Sequence, residues 1–506
     1  MTILIKNARV LTLDDHGTEY AQADILIEGS QIVAIAPEGI PLPEGPNQRV
    51  IEAKGLLAMP GLINGHLHSS SNFQKGELDG LPLEIFMLYE VPPLGHTPPS
   101  PRLTYVRTML SCMEMLKLGI TAVHDDPFYV PIPTPAAIDG LMQAYADSGM
   151  RAVVTIDQPN LVEYEKYPFL RDLLPETLQV EMQQAPRMTT QELLDLYAYH
   201  IQKWHHACAD RLRVAVSCSA PQRVEVDYLL ALADLSQRFD LPFDMHILET
   251  KLQRVLGNVK FGKSLVKYVH DLGVLNHHSL VIHSVWVDEE DMELMAAAGC
   301  SIAHNPISNL RLGSGIMPFR QLRDYGINIC LGSDEAMVDD TCNLWGVGKL
   351  AGLIHSLSSI DYHTWPKASE ILWAMTRGGS QAMGYTGKTG ILASGYEADL
   401  ILLDLNTLAF TPLNDLHRQL VFCENGSSVV MTIVAGKIVV ENGKILTVDE
   451  EAIKAEAREL RTTIFGVESQ AAQKAAVELE PYYRDMYLKA AYSDIGMNRW
   501  SGYSSL

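Results

Sequence analysis

The sequence predicts an α/β protein, a (β/α)8 TIM barrel with a small β-sandwich domain formed by both termini. Two observations carry this. Between about residues 59 and 385, short apolar runs alternate with longer amphipathic stretches, and eight strand-then-helix units of this kind are what a closed parallel barrel requires. Outside that region the chain alternates apolar and polar residues like half-buried strands, first at the start and again late. A doubly wound open sheet also alternates strands and helices, but no GxGxxG follows an early strand here.

The early strands read at 3–5, 9–13 and 24–28, with a Gly29-Ser30 turn leading into 32–35. The same texture returns at 398–403 and 429–434, with Asn442-Gly443 as a turn signal. Residues 1–58 and 386–446 are therefore assigned to the small domain and 59–385 to the barrel. Barrel strands are expected near 58–65, 120–124, 152–156, 212–217, 242–248, 279–283, 299–303 and 328–332. Helices are expected at 103–118, 190–208, 226–239, 288–298 and 340–355. Residues 447–506, rich in Ala, Glu and Lys, read as a helical extension ending in Asn498-Arg499-Trp500-Ser501-Gly502-Tyr503. Tyr482, Tyr483, Tyr487 and Tyr492 mark that extension and pack either on the barrel or on a second subunit.

Composition narrows the function. The chain has 506 residues, 47% of them hydrophobic, enough for a large buried core. Acidic residues outnumber basic ones 61 to 39, and the net charge of −22 repels phosphate backbones and anionic lipid. Neither nucleic-acid nor membrane binding is expected. No apolar run approaches the roughly 18–20 residues of a bilayer span, and MTILIKNARVLTLDD carries charges where a signal peptide keeps its apolar centre. Seven scattered cysteines without a CxxC indicate neither a disulfide framework nor a thiolate metal site. A cytoplasmic, homo-oligomeric enzyme with a small-molecule substrate is the expectation.

The chemistry lies where the apolar runs end. His66 and His68 close the first run, and in a strand residues i and i+2 point the same way, so both imidazoles can face one ion. His246 ends the fifth run with Glu249 three residues on, His283 ends the sixth, and Asp334 ends the eighth. Barrel active sites are built at the C-terminal ends of strands. Three imidazoles and a carboxylate suit one divalent ion, Zn2+ or Fe2+, with His66, His68, His246 and Asp334 as ligands and one position left for water. Such an ion lowers the pKa of water towards neutrality. Glu249 and His283 then remain for proton handling and orientation.

At these residues the chain resembles the amidohydrolase superfamily, and within it the chlorohydrolase and deaminase branch. The matching stretches are Met59-Pro60-Gly61-Leu62-Ile63-Asn64-Gly65-His66-Leu67-His68, His246-Ile247-Leu248-Glu249-Thr250, His283, Ala303-His304-Asn305-Pro306-Ile307-Ser308-Asn309-Leu310, Gly332-Ser333-Asp334 and Gly395-Tyr396-Glu397-Ala398-Asp399-Leu400. By position, the resemblance implies the same four ligands, Glu249 as proton shuttle and His283 as electrostatic partner of water or substrate; in an addition–elimination mechanism Asp334 is also placed to accept the remaining proton. It also implies one metal ion. Two-metal members carry a carboxylated lysine on the fourth strand, which here reads Arg213-Val214-Ala215-Val216-Ser217-Cys218-Ser219.

Residues 69–101 form a long loop with Pro92, Pro93, Pro98, Pro99 and Pro101 and are expected to cover the site. Phe86 stands eighteen residues beyond His68, where related purine deaminases place an aromatic that stacks on the base; core packing is the other reading. Ser219 replaces the histidine of adenosine-type enzymes, and Pro92-Pro93-Leu94-Gly95 lacks their ribose-binding carboxylate, which counts against a nucleoside. Gln222 and Arg223 are candidate readers of a ring carbonyl, with a surface salt bridge as the alternative for Arg223. His124-Asp125-Asp126 faces substrate or is structural, and His304 shapes the pocket floor. The expected activity is hydrolytic deamination of a nitrogen heterocycle or cyclic guanidine or amidine, releasing ammonia. Cyclic amide hydrolysis, dechlorination at the same type of carbon, and a catalytically inactive structural barrel are the alternatives.

Overall fold

Eight parallel strands ring the centre of the molecule in the computed structural model, which describes residues 2–41, 47–94 and 100–500. They are β1 (Leu62–His68), β2 (Ile120–Asp125), β3 (Arg151–Val154), β4 in two pieces (Leu212–Val214 and Val216–Ser217), β5 (Phe243–Ile247), β6 (Ser279–His283), β7 (Ser301–His304) and β8 (Asn328–Leu331). The two pieces of β4 join the half-barrels. Ala215 N donates to Val154 O on one side (3.0 Å), and Val216 N to Pro242 O on the other (2.9 Å). At the opposite seam Asp334-Glu335, just past β8, pairs with Leu67 and His68 of β1 and closes the ring. β1, β2, β5 and β6 are buried at every residue, as expected for parallel strands covered on both faces.

The helices begin where their caps dictate. Ser100 accepts from Leu103 N at the head of Pro101–Lys117, with proline at the first helical position. Thr189 and Glu192 form a capping box for Thr190–Trp204. That helix stops four residues short of the expected 208, because His206, Cys208, Ala209 and Asp210 adopt left-handed backbone. The expected helix at 340–355 starts only at Leu344, since Asn343 caps the amides of Trp345 and Gly346.

The small domain is a nine-stranded sheet folded into a sandwich from both chain ends. Thr2–Leu11 pairs antiparallel with Glu19–Glu28 and parallel with Gln48–Glu52 and Leu56–Pro60, and Leu56–Pro60 pairs with Leu400–Asp404. The expected run at 58–65 is therefore two strands, one in each domain, parted at Gly61. Alternation splits their side chains between two cores. Ala58, Leu400 and Leu402 pack with Ile3, Ile5 and Ile25 inside the sandwich. Leu57, Met59, Ile401 and Leu403 pack into the barrel's core.

The extension folds as Glu450–Leu460 and Gly466–Ala491. Tyr483 is fully buried against Tyr164, Tyr167, Leu170 and Leu252, which places this helix on the barrel's own loops. Pro98 and Pro99 of the covering loop, and Ser501-Gly502-Tyr503 of the tail, lie outside the described residues. Among the described residues no helix is long and apolar enough to cross a membrane.

Arg151, at the start of β3 and 1% exposed, bolts the two domains together. Its Nε donates to Asp399 Oδ2 (2.6 Å) and its Nη2 to Glu397 (3.1 Å). Burial disfavours the guanidinium charge, and the Asp399 carboxylate outweighs it, so the pKa of Arg151 rises. Arg151→Met leaves Asp399 buried and unpaired. It is expected to destabilise the fold by about 3–5 kcal/mol, read as a lowered midpoint in chemical denaturation.

Candidate active site

The C-terminal ends of β1, β5, β6 and β8 meet at one mouth. His66, His68, His246 and Asp334 are 0%, 4%, 8% and 5% exposed there. His68 Nε2 lies 3.3 Å from His246 Nε2, and Asp334 Oδ1 lies 3.5 Å from His66 Nε2 and 3.6 Å from His68 Nε2. The ligand atoms of the three histidines fall within 4.8 Å of one another. Backbone carbonyls set the tautomers. His68 Nδ1 donates to Asp126 O and His246 Nδ1 to Ser219 O (2.7 Å), which leaves both Nε2 lone pairs facing the centre. Both nitrogens of His66 are buried without a hydrogen-bond partner, a costly state for a polar ring unless a ligand completes it. This donor set fits a divalent ion such as Zn2+.

Electrostatics keeps His66 and His246 neutral and Asp334 ionised. Burial pulls His66 down to about 3, with His68 adding to the effect, and pulls His246 well below the usual imidazole range, so both stay neutral. Burial alone would raise Asp334, but His66 and His283 hold it well below the usual carboxylate range. Glu249 goes the other way. Burial, then the Asp334 and Glu84 charges, push it well above its ordinary value. Its Oε2 lies 3.5 Å from His283 Nε2, and His283 Nδ1 donates to Asn309 Oδ1 (2.9 Å).

Strained backbone delivers these side chains. Ser219, Leu248, His283, Ser284 and Asp334 all have positive φ, between 52° and 73°, at about 1–3 kcal/mol each for non-glycine residues. All follow or end β4, β5, β6 or β8. Gly332 admits the close approach of β8. A Cβ there would strike Asn305 and His66.

A cavity of about 230 Å3 opens over the cluster and is lined by His68, His246, Glu249, His283 and Asp334. That is room for far more than one water. Val91, Pro92, Pro93 and Leu94 of the covering loop form part of its wall, as expected. The loop also contains an unforeseen helix, Leu83–Glu90, whose residues Leu83, Met87 and Glu90 face the cavity at i, i+4 and i+7. Phe86, beside them on the helix, is not among the lining residues. It is 3% exposed among Leu312, Met337 and Val338, so it backs the wall and offers no ring to the cavity, which corrects the stacking expectation. Gln222 is corrected likewise. The turn Pro221–Arg223 carries it into a separate small pocket beside Glu84 and Leu252. Arg223 does line the main cavity and donates to Ser219 Oγ (3.3 Å), so it is no surface residue.

Sequence reasoning missed Glu90, Asp157 and Glu335, which also line the cavity. Glu90 is 5% exposed with neither carboxylate oxygen partnered, and Asp157 is 6% exposed with Oδ1 unpartnered. Burial pushes Glu90 up to about 7. Asp157 lies three residues past β3 and obeys the run-end rule that found the others. His124-Asp125-Asp126 is structural. Asp125 accepts from Ser69 N (2.9 Å) and Tyr145 OH (2.8 Å), and His124 meets Asp244 (3.2 Å). His304 faces His355 at 2.9 Å, apart from the cluster.

The family model described as "Amidohydrolase family" matches residues 57–439. A 5-methylthioadenosine/S-adenosylhomocysteine deaminase from Pelotomaculum thermopropionicum is 30% identical over 457 residues, covering 90% of this chain and 97% of its own. A 5'-deoxyadenosine deaminase from Methanosarcina mazei is 28% identical over 460 residues, covering 90% and 96%. Among solved structures, the zinc complex of atrazine chlorohydrolase from Arthrobacter aurescens TC1 superposes with a TM-score of 0.80 at 24% identity, over 90% of this chain and 99% of that one. An adenosine deaminase from Xanthomonas campestris with bound zinc gives 0.80 at 23% identity, over 92% and 98%. These solved structures share the fold. With a family match running from the edge of the small sheet through the whole barrel, the chain belongs to the amidohydrolase family.

Proposed function

We propose that this chain is a mononuclear metal-dependent aminohydrolase that releases ammonia from a nitrogen heterocycle or cyclic guanidine. The observation that carries the reading is the division of labour at the mouth. His66, His68 and His246 bring ligand atoms within 4.8 Å of one another, Asp334 reaches His66 and His68, and Glu249 stands beside them, paired with His283. His66, His68, His246 and Asp334 would hold one divalent ion, Zn2+ or Fe2+. When bound, the ion supplies Lewis acidity and makes water nucleophilic near neutral pH. The deaminase names of the curated relatives support the choice of reaction.

The residues divide the proton transfers. Water adds its oxygen to the amidine carbon, and Glu249 takes one water proton and passes it to the ring nitrogen. Its raised pKa suits a carboxyl that must hold a proton at neutral pH. Asp334 takes the remaining hydroxyl proton to the amino group, the C–N bond breaks, and ammonia leaves as the ring carbonyl forms. His283, held by Asn309, orients the attacking water oxygen. Glu90, Asp157 and Glu335 add acceptors to the cavity wall, which favours a substrate rich in N–H donors, while Arg223 supplies a cation for a ring carbonyl. A panel of aminopurines, aminotriazines, cyclic guanidines and the nucleosides of the relatives' names, read by ammonia release, tests the reading. Ring opening or halide release without ammonia overturns it.

Three outcomes are expected. Elemental analysis of purified protein should find one equivalent of divalent metal, and His246→Ala should lose it. Glu249→Gln keeps shape but cannot accept a proton, so metal content should hold while turnover falls ~10²–10⁴-fold; Asp334→Asn should lose metal as well as rate. Glu90→Gln and Arg223→Ala should each lower kcat/KM by about 1–3 kcal/mol, with Gln222→Ala unchanged in the same assay.

A further inference from the structure

The end of the described chain is tied to the loops that hold Glu249. After the helix Gly466–Ala491, the chain crosses the segments following β6 and β7. Arg499 O accepts from Ile316 N (3.0 Å), Trp500 Nε1 donates to Gly313 O (2.8 Å), and Arg499 Nη2 donates to Val287 O (2.7 Å). The Trp500 ring meets Trp286 edge to face at 5.2 Å. The contact is close. Gly315 has φ +127°, and a Cβ on it would lie 2.9 Å from Arg499 O.

The residue held between these ties is Ser314. Trp286 Nε1 donates to Ser314 O (2.7 Å), Ser314 N donates to Asn309 O (2.8 Å), and Ser314 Oγ reaches Glu249 Oε1 at 3.5 Å. Asn309 is the same residue that orients His283. The tail also grips the chain on the other side of Glu249. Lys251, two residues on, donates to Ala491 O (2.7 Å) at the C-terminal end of the tail helix, where a cation is favoured, and its ammonium lies 5.3 Å from the Trp500 ring.

We infer that Arg499 and Trp500 are positioning residues, a brace that sets Ser314 against Glu249 and so holds the proton shuttle in register with the substrate. The inference rests on the acid–base role of Glu249. The contacts of Arg499 and Trp500 described above fall on Trp286, Val287, Gly313, Ile316 and Lys251, so the brace is expected to act on rate through Ser314 and to leave ion binding unchanged. A shuttle displaced by about 1 Å costs up to ~10²-fold in rate.

The test uses the zinc-loaded full chain and its Trp500→Ala, Arg499→Ala, Ser314→Ala and Ser314→Ala/Trp500→Ala variants. Zinc content should match the parent throughout. In Trp500→Ala, hydrogen exchange should quicken in peptides covering 309–316 and 247–250 and stay unchanged in the small sheet. With the panel substrate turned over, kcat should fall about ten- to a hundredfold at nearly constant KM. The double variant should be no worse than the poorer single, because both changes break one linkage. Trp500→Phe, which keeps the ring contact, should recover part of the loss. Additive losses in the double variant, unaltered kcat in Trp500→Ala, or unchanged exchange at 309–316 overturns the brace. The proposed function fails separately, if Glu249→Gln retains parental turnover whatever the tail variants do.

Discussion

The structure is organised around the need to hold lone pairs of neutral imidazoles and an ionised carboxylate at one dry point. A buried histidine is easily wasted. Its ring can turn, take the wrong tautomer, or pick up a proton and repel its neighbours. For His68 and His246 the ring's orientation and tautomer are fixed by neighbouring strand ends. The carbonyls of Asp126, after β2, and Ser219, after β4, take the Nδ1 protons of His68 and His246. Asp126 in turn is fixed by Thr155 and Ser217. The proposed ligands therefore come from β1, β5 and β8, while the orientation of His68 and His246 comes from the strand ends of β2 and β4. Only a closed ring supplies both at once.

That dependence explains why this cluster of side chains was legible in the sequence. A barrel strand is a nearly continuous apolar run, so a histidine or aspartate at its C-terminal end stands out, and the strand direction says which way it faces. His66, His68, His246, His283 and Asp334 were found this way, and the structure brings them together. Phe86 and Gln222 were placed by analogy of spacing within loops, where spacing carries no direction. One extra residue of helical phase, about 100°, separates Phe86 from Met87, and it is Met87 that lines the cavity. Glu90 was invisible for a related reason. A lone acid at the end of an apolar helix normally reads as its solvated edge, and only the fold shows that this end is buried.

The two domains share strands as well as a boundary. In Leu56–Pro60 and Leu400–Asp404, alternate residues serve the sandwich core and the barrel core, so the sheet is a common wall. Arg151 then pins the wall to the start of β3. The small domain meets the barrel at the N-terminal ends of its strands, opposite the site. Its packing there closes that end of the ring.

Charge decides what the cavity can accept. Glu90, Asp157, Glu249, Asp334 and Glu335 line one small space with Arg223 and Arg187, and Glu163 joins them already paired with Lys166 (2.7 Å). Two like charges 4 Å apart repel by about 4 kcal/mol at an effective dielectric of 20, so five carboxylates cannot all be ionised there without compensation. The molecule relieves part of this by protonation. Burial, with Glu90 beside it, lifts Glu335 well above its ordinary value, and burial lifts Glu90 to about 7. Asp334 alone is driven the other way, by the imidazoles around it. The charge is thus concentrated where a divalent ion fits, while the outer wall keeps acceptors and shared protons suited to amino and ring N–H groups. An anionic group set against Glu90 and Glu335 would meet like charge, whereas amino and ring N–H groups would find acceptors there. The proposed nitrogen-heterocycle substrate rests on that contrast, as the proposed ion site rests on the ionised Asp334 among its imidazoles.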